Sequence, residues 1–314
     1  MMKKYISMAM VAIAAFTFSG CSNEDIQIDK SLTIKVSPSG VVAPFTYEVN
    51  KGELTAVPDQ CTLRLRLLIY NETGKMVFSK TESLKSYTGN LEATPNLPNG
   101  KYTLLCISDI VGTNNYEYWT LSNGNIGDDF SQLRLSSVRE ENGTLRQGFT
   151  KNILGYECRQ VVINESTQTL DLSMKPAGAV ICVNFTAVKK FSSIDRLQLR
   201  TNQETDYVTF NAQGQLVFTS KRSQGTGLNG INTIIDPRVL TTKGNYVAYL
   251  FMPPTDITAA FIYRFDGESQ AHYVGGSDRM TATLNSGDEY EALLDLNATN
   301  DISVDPVYSL TKRN

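Results

Sequence analysis

Little in this chain is equipped to move protons or attack a bond. It carries a single histidine, His272, set between Ala271 and Tyr273 in a stretch that reads as a strand. A catalytic triad needs nucleophile, base and orienter converging on one point, and a lone imidazole supplies at most one of the three. Asp128-Asp129 and Glu140-Glu141 are adjacent carboxylates, but glycoside hydrolysis needs two acids facing each other across a cleft rather than side by side on a loop. The acidic spacing from Asn125 to Asp129 does not fit an EF-hand calcium loop. Nucleotide-binding glycine loops, zinc-binding helix motifs and nucleophile elbows are all missing from the sequence. The expectation is a protein with no catalytic residues, no metal and no cofactor.

Two features remain that do carry chemistry. The first is Cys21. Lys3 and Lys4 precede the apolar run from Ile6 to Phe18, and the small residues Ser19 and Gly20 stand just before Cys21. That order reads as a secretory signal, too short to span a membrane. Phe18-Ser19-Gly20-Cys21 resembles a bacterial lipobox. Residues 1–20 are then a lipoprotein signal peptide, Cys21 is the lipidation site, and 21–30 form a lipidated tether. Several acyl chains on one residue give stable membrane attachment where one chain would not. The second feature is the run Tyr116-Glu117-Tyr118-Trp119, which contains the only tryptophan. On a strand, Tyr116 and Tyr118 share one face and Trp119 takes the other. Exposed, these rings would stack on sugar or anchor a partner; buried, they are core, as tryptophan usually is.

Charge narrows the partners. The formal net charge is -3, and loss of Lys3 and Lys4 with the signal takes the mature chain to -5. An acidic surface without a basic run excludes nucleic acid, whose binding rests on neutralising phosphates. Docking on anionic lipid by charge is excluded for the same reason.

The elements that must position these residues are strands. Leu63-Arg64-Leu65-Arg66-Leu67 alternates, with leucines on one face and arginines on the other, as a half-buried strand does. Leu32, Ile34 and Val36 alternate likewise, as do Leu170, Leu172 and Met174, and later Phe261, Tyr263 and Phe265. Turn signals such as Asn99-Gly100 and Asp266-Gly267 separate the runs. Many short strands between turns predict an all-β fold of sandwich type.

The chain also repeats itself. Tyr70-Asn71-Glu72-Thr73-Gly74-Lys75-Met76-Val77-Phe78 aligns with Phe210-Asn211-Ala212-Gln213-Gly214-Gln215-Leu216-Val217-Phe218. Each reads as a hairpin in which Asn and Gly form the turn. Gly100-Lys101-Tyr102 is echoed by Gly244-Asn245-Tyr246, and Leu170-Asp171-Leu172 by Leu294-Asp295-Leu296. Three landmarks in the same order predict tandem domains at 31–175 and 176–300, with a break near Lys175-Pro176-Ala177-Gly178 and a tail or edge strand at 301–314. The stretch from Gly112 to Tyr156 has no counterpart and reads as an insertion, with a short helix expected over Asp128–Arg139. Once Cys21 is acylated, Cys61, Cys106, Cys158 and Cys182 allow two disulfides in three pairings. Their apolar settings favour buried thiols.

These landmarks together resemble the fimbrillin-related lipoproteins of Gram-negative anaerobes, closest to their fimbrial anchor and accessory subunits. The resemblance rests on the lipobox, on Cys61 leading into the arginine–leucine strand, on Leu97-Pro98-Asn99-Gly100-Lys101-Tyr102, and on Asn152-Ile153-Leu154-Gly155. It implies two tandem transthyretin-like β-sandwich domains of Greek-key type. It also implies a non-enzymatic role in cell adhesion and pilus assembly, on the outer membrane and exposed at the surface. Implied partners are fimbrillin-like pilus subunits, joined by strand donation, and the outer membrane itself through lipid on Cys21. Between Cys21 and Cys61 there are Lys30, Lys35 and Lys51 but no arginine to mark a cleavage site, which favours an anchor over a polymerising stalk. The alternative, from the Tyr116–Trp119 run, is a surface glycan-binding lipoprotein associated with a nutrient importer.

Overall fold

The computed structural model describes residues 32–42, 61–137, 154–185, 194–201, 203–222, 233–234, 246–252, 255–265, 269, 272–274, 281–295 and 307–313. Over these residues the chain is β throughout, apart from one helical turn, α1 (Ser39–Val42), and 3-10 turns at Thr113–Asn115 and Phe130–Gln132.

Two sheets come from the first half. In one, β1 (Thr33–Ser37) lies between β4 (Leu91–Ala93), antiparallel, and β9 (Thr169–Ser173), parallel. In the other, β2 (Thr62–Asn71) lies between β3 (Met76–Leu84) and β5 (Gly100–Val111). Beyond β5 come β8 (Leu154–Ile163) and β10 (Lys175–Pro176). Two further sheets come from the second half. One orders β16 (Tyr246–Met252), β11 (Ala179–Phe185), β20 (Glu289–Asp295) and β21 (Val307–Lys312). The other orders β15 (Thr233–Ile234), β12 (Ile194–Thr201), β17 (Thr255–Phe265) and β18 (His272–Val274), with β19 (Thr281–Leu284) also pairing β17. Around β11 the first half's pattern recurs: one antiparallel neighbour, β16, and one parallel neighbour, β20.

The fifth sheet mixes the halves. It joins β6 (Trp119–Ser122) and β7 (Arg134–Ser137) to β13 (Gln203–Phe210) and β14 (Leu216–Arg222). β7 pairs β6 through Trp119↔Ser137 and β13 through Val208↔Leu135. In its described part, 128–137, the helix expected over Asp128–Arg139 is instead a single 3-10 turn followed by a strand, and 138–139 lie outside the described residues. Leu133 and Leu135 are both buried two residues apart, a period that suits a strand and not a helix.

This arrangement gives β2 and β5 two covered faces. On the leucine face, Leu63, Leu65, Leu67 and Ile69 are buried with Ile34, Val36 and Leu91. Two side chains show that the β4–β1–β9 sheet covers that face. Lys80 Nζ donates to the Glu92 carbonyl at 2.6 Å, and Arg159 Nη1 donates to the Asp171 carbonyl at 3.1 Å. Contact is close enough that a Cβ on Gly155 would stand 2.3 Å from both Val41 Cγ2 and Ser108 Oγ. The opposite face carries Arg64, Arg66, Leu68 and Tyr70, and the mixed sheet lies over it. Arg64 Nη2 donates to the Trp119 carbonyl at 3.1 Å, and Gln160 Nε2 to the Ala212 carbonyl at 3.1 Å. The half-buried strand expected from Leu63–Leu67 is thus corrected, because both of its faces are covered.

The two repeated hairpins close in the same way. Gly74 and Gly214 have φ of +79° and +73°, and each donates its N–H to the carbonyl of Asn71 or Asn211 at 2.9 Å. In each turn the Asn Oδ1 also accepts from backbone N–H groups: Thr73 and Lys75 in the first, Gln213 and Gln215 in the second. Their surroundings differ. A Cβ on Gly74 meets nothing within 4 Å, whereas one on Gly214 would lie 2.4 Å from Cys158 Sγ. Gly74→Ala should therefore cost only the left-handed strain, about 1 kcal/mol. Gly214→Ala adds a core clash and should cost about 2–4 kcal/mol. Urea unfolding of both variants measures the difference, and equal losses would show that the second hairpin is not seated against β8.

Candidate functional site

The residues that sequence marks for contact lie over the arginine face. After β5 the chain reverses at Thr113–Asn115, where Asn114 and Asn115 adopt φ of +58° and +59°. Asparagine tolerates this left-handed conformation better than most residues. Gly112 N–H donates to the Tyr116 carbonyl at 2.8 Å, which turns the chain back across the sheet. Trp119 is 3% exposed and Tyr118 6%, and the Tyr116 ring packs edge-on to Tyr118 with centroids 5.2 Å apart. Only Tyr116 of the three rings is half-buried rather than buried. The run is core lid, and as a sugar platform or partner contact Tyr118 and Trp119 are closed off by the sheet they cover.

What they cover is a buried ion cluster. Arg64 grips Asp109 bidentately, Nε to Oδ1 at 3.0 Å and Nη2 to Oδ2 at 2.5 Å, and its Nη1 pairs with Glu117. Arg66 Nη2 lies 3.7 Å from Asp109 and 3.9 Å from Glu117. Asp109 is fully buried and Arg66 is 6% exposed. Burial lowers the Arg66 pKa and Arg64 adds repulsion, with Asp109 and Glu117 opposing both. The pairing is cross-strand, since Arg64 stands opposite Asp109 in the β2–β5 register. Arg66 Nη1 has no hydrogen-bond partner, so the cluster is not fully satisfied. Its acids are occupied as counter-ions, which makes it architecture rather than a site for acid–base chemistry. Asp109→Ala leaves two arginines under-compensated in a closed space and should cost about 3–5 kcal/mol. Glu117→Gln, at a half-exposed side chain, should cost about 1 kcal/mol or less. Chemical denaturation checks both, and a small Asp109→Ala loss would show that water reaches the cluster.

Sheet edges are the remaining surface from which an assembly protein can act. Residues 301–314 read from sequence as tail or edge strand; Val307–Lys312 forms β21, antiparallel to β20 and outermost in its sheet among the described residues. Its end is pinned by Lys312 Nζ to Asp288 Oδ2 at 2.9 Å and Arg313 Nη2 to Glu291 Oε2 at 3.2 Å. Burial alone would raise the Asp288 pKa, but hydrogen bonds from Lys312 and Asn285, with the Lys312 charge, hold it below the usual carboxylate value. A depressed carboxylate contributes stability above its unfolded pKa, near 4, and loses it as pH falls through the lower folded value. Acidification below about pH 4 should therefore speed amide exchange in β21 before the first-half core opens. Simultaneous opening would count against a locally pinned strand.

Other expected sites resolve simply. Cys21, with the rest of 1–30, lies outside the described residues. Cys61, Cys106 and Cys158 are free thiols, and burial pushes the Cys158 pKa up to about 12. The side chains of Cys182 and His272 lie outside the described residues. Among the described residues no group of His, Cys, Asp or Glu is placed to hold a metal ion. No described helix is long and apolar enough to cross a membrane. What sequence reasoning missed is the acid partner of the arginines. Asp109 within the apolar run Leu104–Val111 was the available signal, since a lone carboxylate there needs a buried cation.

Comparison with known proteins bears on this geometry. Residues 34–227 match the family model of the fimbrillin-A associated anchor proteins Mfa1 and Mfa2. The match runs from β1 to just past β14 and so takes in the first-half sheets and the mixed sheet. Among solved structures, a candidate cell adhesion protein from Bacteroides ovatus ATCC 8483 is 13% identical, with 91% of this chain and 96% of that chain covered and a TM-score of 0.52. A candidate adhesin from Bacteroides ovatus is 12% identical, with 89% and 92% covered and a TM-score of 0.49. A candidate polysaccharide-binding protein from Bacteroides thetaiotaomicron VPI-5482 is 12% identical, with 84% and 91% covered and a TM-score of 0.49. No curated protein matches. The likeness to the first of these structures is one of fold.

Proposed function

The chain belongs to the family of fimbrillin-A associated anchor proteins Mfa1 and Mfa2, and from that premise we propose that it is a non-enzymatic surface lipoprotein acting as a fimbrial anchor or accessory subunit in cell adhesion and pilus assembly. The observation that carries this reading is the family match across β1–β14. The lipobox ending at Cys21 adds the means of attachment. Acyl chains on Cys21 hold the protein on the outer membrane, and the acidic tether at Ser22–Asp25 leads out to the folded body at the cell surface. That body consists of two transthyretin-like sandwiches, the first over 31–175 and the second over 176–300. In support, the neighbour pattern around β1 recurs around β11.

Partners are fimbrillin-like subunits. Strand donation suits the architecture because strand edges present backbone groups that another strand satisfies. β1 is the element that an anchor must keep: Ile34 and Val36 are buried and its backbone pairs on both sides. The absence of arginine between Cys21 and Cys61 fits a chain that retains both β1 and its lipid. The alternative of a glycan-binding importer component drew on the Tyr116–Trp119 run, and burial of Tyr118 and Trp119 removes that platform.

The test is mild crosslinking on intact cells, pulldown of the lipidated protein and mass spectrometry. Fimbrillin-like subunits should co-purify, and Cys21→Ser should shift the protein from the membrane fraction to the medium. Recovery of importer subunits in place of fimbrillins would contradict the role.

A further inference from the structure

A cavity of about 710 Å³ opens at one end of the five-stranded sheet. Both copies of the repeated hairpin line it, through Tyr70–Gly74 and through Phe210 and Ala212, together with β5, β8 and the 3-10 turn at Phe130. Its size falls within the range of small-ligand sites, roughly 300–1,000 Å³. None of the chemistry considered above uses it.

Its walls are of two kinds. One is aromatic. Phe130 stands edge-on to Tyr70 at 4.9 Å and 6.0 Å from Phe210, and Tyr102 has its hydroxyl occupied by the Pro98 carbonyl at 2.9 Å. The other is polar and spread over four elements: Glu72 on the hairpin, Lys101 and Thr103 on β5, Ser131 on the 3-10 turn and Gln160 on β8. Gln160 spends its Nε2 on the Ala212 carbonyl, which leaves the amide oxygen to accept from a ligand. Asp129 also lines the cavity, but Lys75 neutralises it at 2.9 Å. Glu72 and Lys101 then offset each other, and the cavity presents donors and acceptors without net charge.

Three occupant classes fit this lining unequally. An acyl chain would desolvate the polar groups and give them nothing in return. An added peptide strand pairs backbone to backbone along an edge and gives side chains such as Glu72, Lys101 and Gln160 nothing to bind. A neutral sugar offers hydroxyls that both donate and accept, and C–H faces that sit on aromatic rings. We propose that this cavity binds an uncharged oligosaccharide, contacted through Glu72, Lys101, Gln160 and Ser131 around the Phe130 ring. The site is independent of the anchoring role and would let a fimbrial base subunit hold a surface glycan beside the filament.

The experiment is calorimetric titration of the full chain in detergent with maltohexaose, xylohexaose, cellohexaose and mannohexaose, and with a heparin hexasaccharide as the charged comparison. At least one neutral sugar should bind. Glu72→Ala/Lys101→Ala should weaken it by about tenfold or more, as expected for lost hydrogen bonds to charged groups. Ser131→Trp, which fills the cavity from an exposed position, should abolish it. Thermal unfolding of the variants confirms that they fold, and the double variant suffices if the tryptophan disturbs the turn. Silence across the neutral sugars, binding of the heparin hexasaccharide alone, or affinity unchanged in the variants would each overturn the proposal.

Discussion

Arg64 and Asp109, paired across β2 and β5 in a sheet covered on both faces, set the terms for the first half of this molecule. A bidentate ion pair of this kind gains little over a well-packed apolar pair, but it is costly to leave half-made. Its presence therefore obliges the chain to bring a lid. The left-handed asparagines after β5 deliver Glu117 as a second acid and the Trp119 carbonyl as an acceptor to the same guanidinium. The tryptophan that looked like a contact residue is there to keep water from the cluster.

The lid is too small to stand alone. β6 and β7 are four residues each, and they join the β13–β14 hairpin in a sheet only through the pairing of β7 with β13. The second half thus completes the roof of the first. Phe210 lies 6.0 Å from both Phe130 and Tyr156, and Gly214 sits against Cys158 so closely that only glycine fits. This dependence gives a physical reason for the family match to continue past Lys175–Pro176 to residue 227. A core closed by strands from both halves resists separation of one from the other.

How much of this was legible follows from the range of each interaction. Alternation and turn chemistry are local, so the all-β class, the strands around Leu63–Leu67 and Leu170–Leu172, and the twin Asn–Gly hairpins could be read directly. The destination of an exposed-looking face is not local. Arg64 and Arg66 carry the same alternation whether they meet water or a second sheet, and only Asp109 in its apolar run hinted at the difference. The segment after Asp128 carries two periods at once, because Phe130 and Leu133 are spaced for a helix while Leu133 and Leu135 are spaced for a strand. Tyr118 and Trp119 were ambiguous for the same reason as the arginines. The cavity could not be seen at all, since its walls come from Tyr70–Gly74, Lys101–Thr103, Gln160–Val162 and Phe210, which only the fold brings together.

The account stands on the mixed sheet making one cooperative unit of both halves. The most direct measurement is denaturant unfolding of the full chain followed by the fluorescence of its only tryptophan, Trp119, alongside amide exchange in β13 and β14. Coincident transitions are predicted, because β6, which carries Trp119, pairs with β7, and β7 is held in turn by β13. Exchange of β13 and β14 in a separate, earlier step, with Trp119 still protected, would contradict it.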